Sequence, residues 1–362
     1  MIKALHYDLH IAIHQEIHWL VSELLPEQVE LTSLCDSLHC HLIGRAPDKV
    51  QVVNQGTWHS INEARVKEFQ RLYKDYLAKF DFFIVGYPSS FALLFAGLGK
   101  PILIYNAVRS DLPFCWTKDW ASLNYYNEIL RKEYESGNIF MVSNNLGDLS
   151  YTALAPHGIT PIFLPTIARY KKLSQESPQM ESKKYIVFGE SKALNRIGDN
   201  NKLVSRASLG QFSDETLKCY QGIIHFPYDI SLMSIFEHYS NRIPMYFPTF
   251  RYFVQSVSDG DTQLNSRYWF HHGDLRYPSY LEPSIGSEWI TWWLSRADFY
   301  GSLGNVNYFD SIEELISQVD DESGNSQLRP TEIQLDTRFH AITEQWRSLF
   351  QLILKRVSQG SL

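Results

Sequence analysis

The 362-residue chain contains no run of eighteen apolar residues, the length a helix needs to cross a bilayer. The opening MIKALHYDLHIAIHQE also lacks the charged, apolar and small-residue succession of a secretory signal. A soluble, cytoplasmic protein is expected, for which peripheral contact with a membrane stays open. Cysteine is scarce: Cys35, Cys40, Cys115 and Cys219 form no CxxC pair and no paired framework, so buried free thiols are expected and a structural zinc site is not. No GxxxxGK[ST] occurs, which excludes a P-loop kinase. GLGK and GSLGN do not stand between a strand and a helix as a dinucleotide fingerprint requires, so no nicotinamide cofactor is implied. An excess of positive charge is lacking too. The formal net charge of −7 leaves no general field for nucleic acid, although a local basic cleft could hold a diphosphate.

What is present is an alternation of apolar strands and amphipathic helices, in a chain long enough for two cores. MIKALHYD reads as a first strand and EIHWLVSELL as the helix after it. KVQVV reads as a short strand, and Ile61 to Lys79 as a long helix. DFFIVGYP, the helix SSFALLFAGL and PILIYNAV follow, then NIFMVSNN and PIFLP. Continuous apolar strands separated by helices imply parallel sheets covered on both faces. The polar stretch KKLSQESPQMESKK, residues 171–184, reads as a linker. The pattern then restarts with YIVFGES, passes through IIHFPY and IPMYF, and reaches NVNYFDSIEELISQV, a strand entering a capped helix. A last helix, roughly Ile333 to Val357, carries Phe339, Ile342, Trp346, Leu349, Phe350 and Ile353 on one side. The expected division is an N-terminal α/β domain over 1–170, a second over 185–332, and a helix over 333–362 that packs back on the first.

The densest signal is IIHFPYDISLMSIFEHYSNRIPMYFPT, from Ile223 to Thr249. It reads as a buried strand, a loop with an acid, a helix with a second acid, and another strand. Leu232, Ile235, Phe236 and Tyr239 fall on one helical face, with Asp229 or Ser231 as N-cap and Glu237 off the buried stripe. This stretch resembles the C-terminal domain of GT-B glycosyltransferases, in which a strand ending in proline, an acid, seven residues and a glutamate precede a turn and an apolar strand. FFIVGYPSSFALLFAGLGKPILIYNAVR and FDSIEELISQV resemble further parts of that fold. The resemblance implies two Rossmann-like domains around a cleft, with transfer of a sugar from a nucleoside-diphosphate donor to a glycan or other saccharide. In the retaining branch it implies that Asp229, standing where a glutamate is usual, touches the donor sugar. Glu237 would hold the ribose hydroxyls.

The chemistry of these roles follows from the side chains. A carboxylate has two acceptor oxygens and can take both hydroxyls of a ribose, and Glu237 suits that. The helix start at Ser231 to Ser234 offers unpaired N–H groups to a pyrophosphate. The alternatives are a cap for Asp229 and a solvated surface residue for Glu237. A departing diphosphate needs neutralisation. No DxD stands at a strand end to suggest a metal, and Lys192, Arg196, Lys202 and Arg206 follow YIVFGES; Arg196 and Arg206 are preferred for their forked guanidinium. His225 and Tyr228, after the buried strand, could touch phosphate, sugar or base, or His225 could be a core histidine. A base for an acceptor hydroxyl should lie where strands end. HYDLHIAIHQ supplies Asp8 and His10 as candidates, against a local cap and a surface histidine. Arg109 and Asp111, after PILIYNAV, could bind the acceptor. A sugar-nucleotide epimerase of the same fold and a non-enzymatic ligand-binding protein are the competing readings. No cofactor beyond the sugar-nucleotide substrate is implied.

Overall fold

The computed structural model describes residues 1–171, 183–196, 201–210, 214–265, 287–321 and 328–360. Most of the expected linker, 172–182, lies outside them. The chain forms two compact units, one containing 1–166 and 340–360, the other 167–265 and 287–339.

The first unit is built on six parallel strands: β1 (Ile2–Asp8), β2 (Val29–Cys35), β3 (Phe82–Val85), β4 (Ile102–Asn106), β5 (Ile139–Ser143) and β6 (Ile162–Phe163). Their order is β2-β1-β3-β4-β5-β6. β3 and β4 are buried at every residue, as central strands covered on both faces must be. Parallel neighbours need long crossovers. The helices Ile11–Leu24, Glu63–Leu72 and Trp120–Glu135 serve as these, the latter two started by Asn62 and Asp119, whose side chains accept from the amides of Arg65 and Ser122.

Parts of this unit depart from the local sequence pattern. KVQVV is not a strand: Val52 has φ 70°, a left-handed conformation that interrupts extension. The strand is VELTSLC instead, paired with β1 from Ile2↔Val29 to Asp8↔Cys35. The helix expected over Ile61 to Lys79 breaks at Tyr73 into Glu63–Leu72 and Lys74–Leu77. SSFALLFAGL contributes a 3-10 helix, Ser89–Leu94, buried at all six residues. The cysteines are not all free. β2 ends at Cys35 and the chain turns at once, which brings Cys40 to a Cα separation of 6.1 Å, within bridging range, and the two form a disulfide. Cys115 and Cys219 are free thiols.

The second unit has five parallel strands: β7 (Tyr185–Phe188), β8 (Leu203–Ser205), β9 (Gly222–His225), β10 (Met245–Pro248) and β11 (Asn307–Phe309). Their order is β11-β10-β9-β7-β8. Helices Met233–Ser240 and Ile312–Asp320 are amphipathic, and Ser311 caps the second by accepting from the Glu314 amide. Tyr185, Ile224, Phe226, Tyr246 and Phe309 pack with Leu315 into one core cluster.

Both sheets follow the doubly wound order 2-1-3-4-5, so two Rossmann-like domains are present. In each, the chain reverses its direction of growth between the first and third strands, and a crevice is left at the carboxyl ends there. These switch points are β1/β3 and β7/β9.

The last helix, Glu332–Gly360, enters the first unit from residue 340 onward. Trp346, fully buried, stacks on Tyr105 at 5.7 Å and lies 5.5 Å from Phe350. Arg356 donates to the Asn138 side chain at 3.0 Å and to the Ser136 carbonyl at 2.9 Å. Removing a buried indole leaves a cavity worth about 3–5 kcal/mol. Trp346→Ala should therefore lower the unfolding free energy of the first unit by that amount in urea titration, and a loss below about 1 kcal/mol would show that the helix is not integral to it.

Candidate functional site

In the second unit, β7 and β9 end side by side at the switch point. Gly189, directly after β7, has φ +88°, and a Cβ there would lie 1.9 Å from the Phe226 carbonyl oxygen. Only glycine fits. Beside these strand ends lies a cavity of about 480 Å³, walled by Phe188, Phe226 and Tyr228. That volume falls in the range of small-ligand sites.

Its polar lining is mostly cationic or cation-forming. Lys171 and Arg206 both border it, and the Arg206 guanidinium lies 5.8 Å from the centre of the Phe188 ring. From the helix Met233–Ser240 come Ser234, Glu237 and His238. Glu237 is only 8% exposed, so the alternative of a solvated surface residue does not hold. One carboxylate oxygen accepts from the Tyr170 hydroxyl at 2.7 Å and the other from Lys171 Nζ at 2.8 Å. His225, at the end of β9, is 2% exposed, and its ring stacks on Phe247 at 4.9 Å and 8°. Burial, followed by the neighbouring His238, pushes its pKa well below the ordinary imidazole range, so the ring is neutral. An arrangement of two cations, two imidazoles and one carboxylate can offer donors to an anion and acceptor oxygens to a diol.

The fold thus brings Arg206, His225, Tyr228, Ser234 and Glu237 to one cavity. It does not bring Asp229 or Ser231 to its wall. Neither caps the helix, because Leu232 is the extended N-cap residue and the first helical residue is Met233. Asp229 Oδ1 accepts from the adjacent Ile230 amide at 2.8 Å. The Arg196 side chain lies outside the described residues. Lys171 and His238 are additions. Lys171 stands at the edge of the polar stretch read as a linker, and His238 follows Glu237 at about 100° around the helix, outside any single-face pattern. Its one sequence signal is the adjacency itself.

The switch point of the first sheet carries Asp8 at the end of β1 and Gly86 after β3. Asp8 is 1% exposed and accepts from the amides of His10 at 2.6 Å and Tyr87 at 3.1 Å. A Cβ on Gly86 would lie 2.0 Å from Asp8 Oδ2, so the glycine makes room for the carboxylate. Burial raises the Asp8 pKa to about 7, the amide donors opposing it. His6, fully buried, has Nε2 3.6 Å from the same carboxylate. His10 begins the following helix as its N-cap residue; the residue reaches solvent, yet desolvation by its neighbours holds the imidazole below its ordinary pKa, with Asp8 opposing. Arg109 and Asp111, by contrast, are turned inward. They are 3% and 5% exposed and bind each other through two hydrogen bonds of 3.1 and 2.7 Å. The Tyr151 hydroxyl donates to Asp111 at 2.9 Å. The pair is built as an internal brace.

No family model matches the chain, and no curated protein matches it. Solved structures similar to it over nearly its whole length include the glycosyltransferase SnogD from Streptomyces nogalater, at 12% identity and TM-score 0.42, with 99% of each chain covered. A UDP-N-acetylglucosamine 2-epimerase from Rickettsia bellii is similar at 10% identity and TM-score 0.44, covering 99% of this chain and 98% of that one. The spinosyn rhamnosyltransferase SpnG, complexed with thymidine diphosphate, is similar at 10% identity and TM-score 0.39, covering 99% and 96%. Among the described residues no helix is long and apolar enough to cross a membrane.

Buried neutral histidines set the acid stability. Burial lowers the pKa of His6 and His14 to about 3 and of His157 to about 4, and that of His225 lies well below its usual value. In the unfolded chain all four bind a proton as the pH falls through about 6.5. Asp8 has the opposite sign, since the folded state keeps its proton up to about pH 7. Between about pH 6 and 4.5 the unfolded state therefore binds about three more protons than the folded one, and stability falls with falling pH by about 4 kcal/mol per unit. Urea midpoints at pH 6.0 and 5.0 should reveal this steep loss, and equal midpoints would contradict burial of neutral imidazoles.

Proposed function

We propose that the chain is a glycosyltransferase of the GT-B type, binding a nucleoside-diphosphate sugar in the second unit and transferring the sugar to a saccharide acceptor. The observation that carries this is the placement of Lys171, Arg206, His225 and Glu237 around one cavity at the β7/β9 switch point. Switch points of doubly wound sheets are where nucleotides bind. In this reading Glu237 accepts from the ribose hydroxyls, exchanging its Tyr170 and Lys171 partners for them. Lys171, thus released, and Arg206 neutralise the diphosphate.

The transfer breaks the bond between the sugar's anomeric carbon and the diphosphate oxygen, which leaves with the electron pair. The acceptor hydroxyl oxygen forms the new bond to that carbon and gives up its proton. His10 receives the proton in our assignment, because it stands just after a strand end and its surroundings hold the imidazole below its ordinary pKa, unprotonated and able to accept, while Asp8 is buried and holds the turn through the His10 amide. Asp229 has no assigned contact with the donor in this scheme, and Arg109 and Asp111 have none with the acceptor.

The same cavity would serve an epimerase, which shares the donor and differs in product. Incubation with UDP-, TDP-, GDP- and ADP-sugars separates the readings: released free sugar in the absence of acceptor supports transfer, an epimerised nucleotide supports epimerisation, and binding without conversion supports a binding protein.

Glu237→Ala should weaken binding of the bare nucleoside diphosphate by about 1.5–3 kcal/mol in titration calorimetry, the range for hydrogen bonds to a charged group. Unchanged affinity would remove Glu237 from the nucleotide site. His10→Ala should lower kcat by about 10²–10⁴-fold with donor affinity retained, as loss of a general base does. Wild-type turnover in that variant would move the base elsewhere.

A further inference from the structure

We propose that His225 takes up a proton when a sugar nucleotide binds, so that the donor site is tighter in mildly acidic solution. The inference rests on the nucleotide reading above and concerns how that site responds to pH. Its geometry is the starting point. The His225 ring lies between aromatic neighbours, stacked on Phe247 at 4.9 Å and 5.6 Å from Phe188. Its Nε2 is buried and has no hydrogen-bond partner, although the residue lines the cavity. A buried polar atom without a partner is uncommon and costs free energy, unless a ligand completes it.

The charged and titratable groups facing the same cavity are Lys171, Arg206, Tyr228, Glu237 and His238. Most of them oppose a charge on His225. Lys171 and Arg206 are cations, and His238 lies 5.4 Å away, ring to ring. Glu237, the single carboxylate in the set, is already paired with Lys171. Apolar packing adds its own penalty, and the imidazole stays neutral. A diphosphate reverses the balance. It brings negative charge into the cavity, engages Lys171 and Arg206, and offers an oxygen acceptor to a protonated Nε2. A shift of the ring's pKa upward on binding then requires net proton uptake.

The uptake has a defined signature. Where the free site is neutral and the occupied site protonated, affinity rises up to tenfold for each unit by which the pH falls. It levels off at lower pH once the free site also protonates. A sugar nucleotide is the right probe, because its diphosphate is a diester without a group titrating near neutrality. Free nucleoside diphosphates would add their own proton to the count.

The experiment is titration calorimetry of the whole chain with whichever of UDP-glucose, TDP-glucose, GDP-mannose and ADP-glucose binds tightest. It is run at pH 6.5 and 7.5 in two buffers of different protonation enthalpy. We expect buffer-dependent heats corresponding to uptake of up to one proton, a three- to tenfold gain in affinity at pH 6.5, and loss of both effects in His225→Asn. Binding without buffer-dependent heat in the wild-type chain overturns the proposal and leaves the nucleotide reading standing, and this arm does not depend on any variant folding. Uptake that persists in a folded His225→Asn also overturns it, moving the proton to His238. Failure of all four probes to bind at either pH overturns the nucleotide reading itself and the proposal with it.

Discussion

The site geometry in both units depends on a side chain that is not there. Gly86 follows the third strand of the first sheet and Gly189 the first strand of the second, each at a switch point. At Gly86 the space of a Cβ is filled by the Asp8 carboxylate, and at Gly189 by the Phe226 carbonyl. Any larger residue would drive neighbouring strand ends apart by steric overlap, at the places where a doubly wound sheet opens a crevice. The spacing of parallel strands is set by their hydrogen bonds, so the overlap cannot be relieved by sliding one strand away without losing the ladder. Asp8 can therefore sit buried at the end of β1, and β9 can pass close enough to β7 to place His225 beside Phe188.

The two crevices have opposite electrostatic character. In the first unit the Asp8 carboxylate is buried beside His6, and that burial raises its pKa toward neutrality against the backbone amides that lower it. In the second, Lys171 and Arg206 line the same cavity as His225, whose imidazole burial holds neutral. Burial shifts both groups toward their neutral forms, raising the carboxyl and lowering the imidazole. The internal brace of Arg109, Asp111 and Tyr151 shows the other use of buried charge. Both of the guanidinium's contacts to the carboxylate are made inside the unit, where the pair ties together the segment after β4.

Much of the architecture was legible in the sequence because parallel strands covered on both faces must be continuously apolar. FFIV and ILIYN could be recognised on that ground, and the restart at YIVFGES marked a second sheet. Helices with caps were equally plain, as at Ser311. The errors came where local propensity and tertiary pairing disagree. KVQVV has the composition of a strand, yet Val52 adopts a left-handed conformation and Tyr7 donates to the Val53 carbonyl in a loop. VELTSLC, interrupted by the polar residues Glu30, Thr32 and Ser33, becomes β2 because β1 offers it an edge.

The sequence by itself determined the fold class, the two-sheet organisation and the segment carrying the donor-site candidates, since these follow from periodicity and from residues close together in the chain. Only the tertiary structure decided which of those candidates share a cavity. Glu237 was legible as a carboxylate on a helix, but its burial depends on Tyr170 and Lys171, more than sixty positions earlier. Arg109 and Asp111 were legible as a charged pair at a strand end, but Tyr151 and the surrounding core turned them inward. The Cys35–Cys40 bridge likewise required the turn that follows β2. The physical reason is the same in each case: periodicity assigns a side chain to a face, whereas its partners and its exposure are set by whatever distant segment the fold packs against that face.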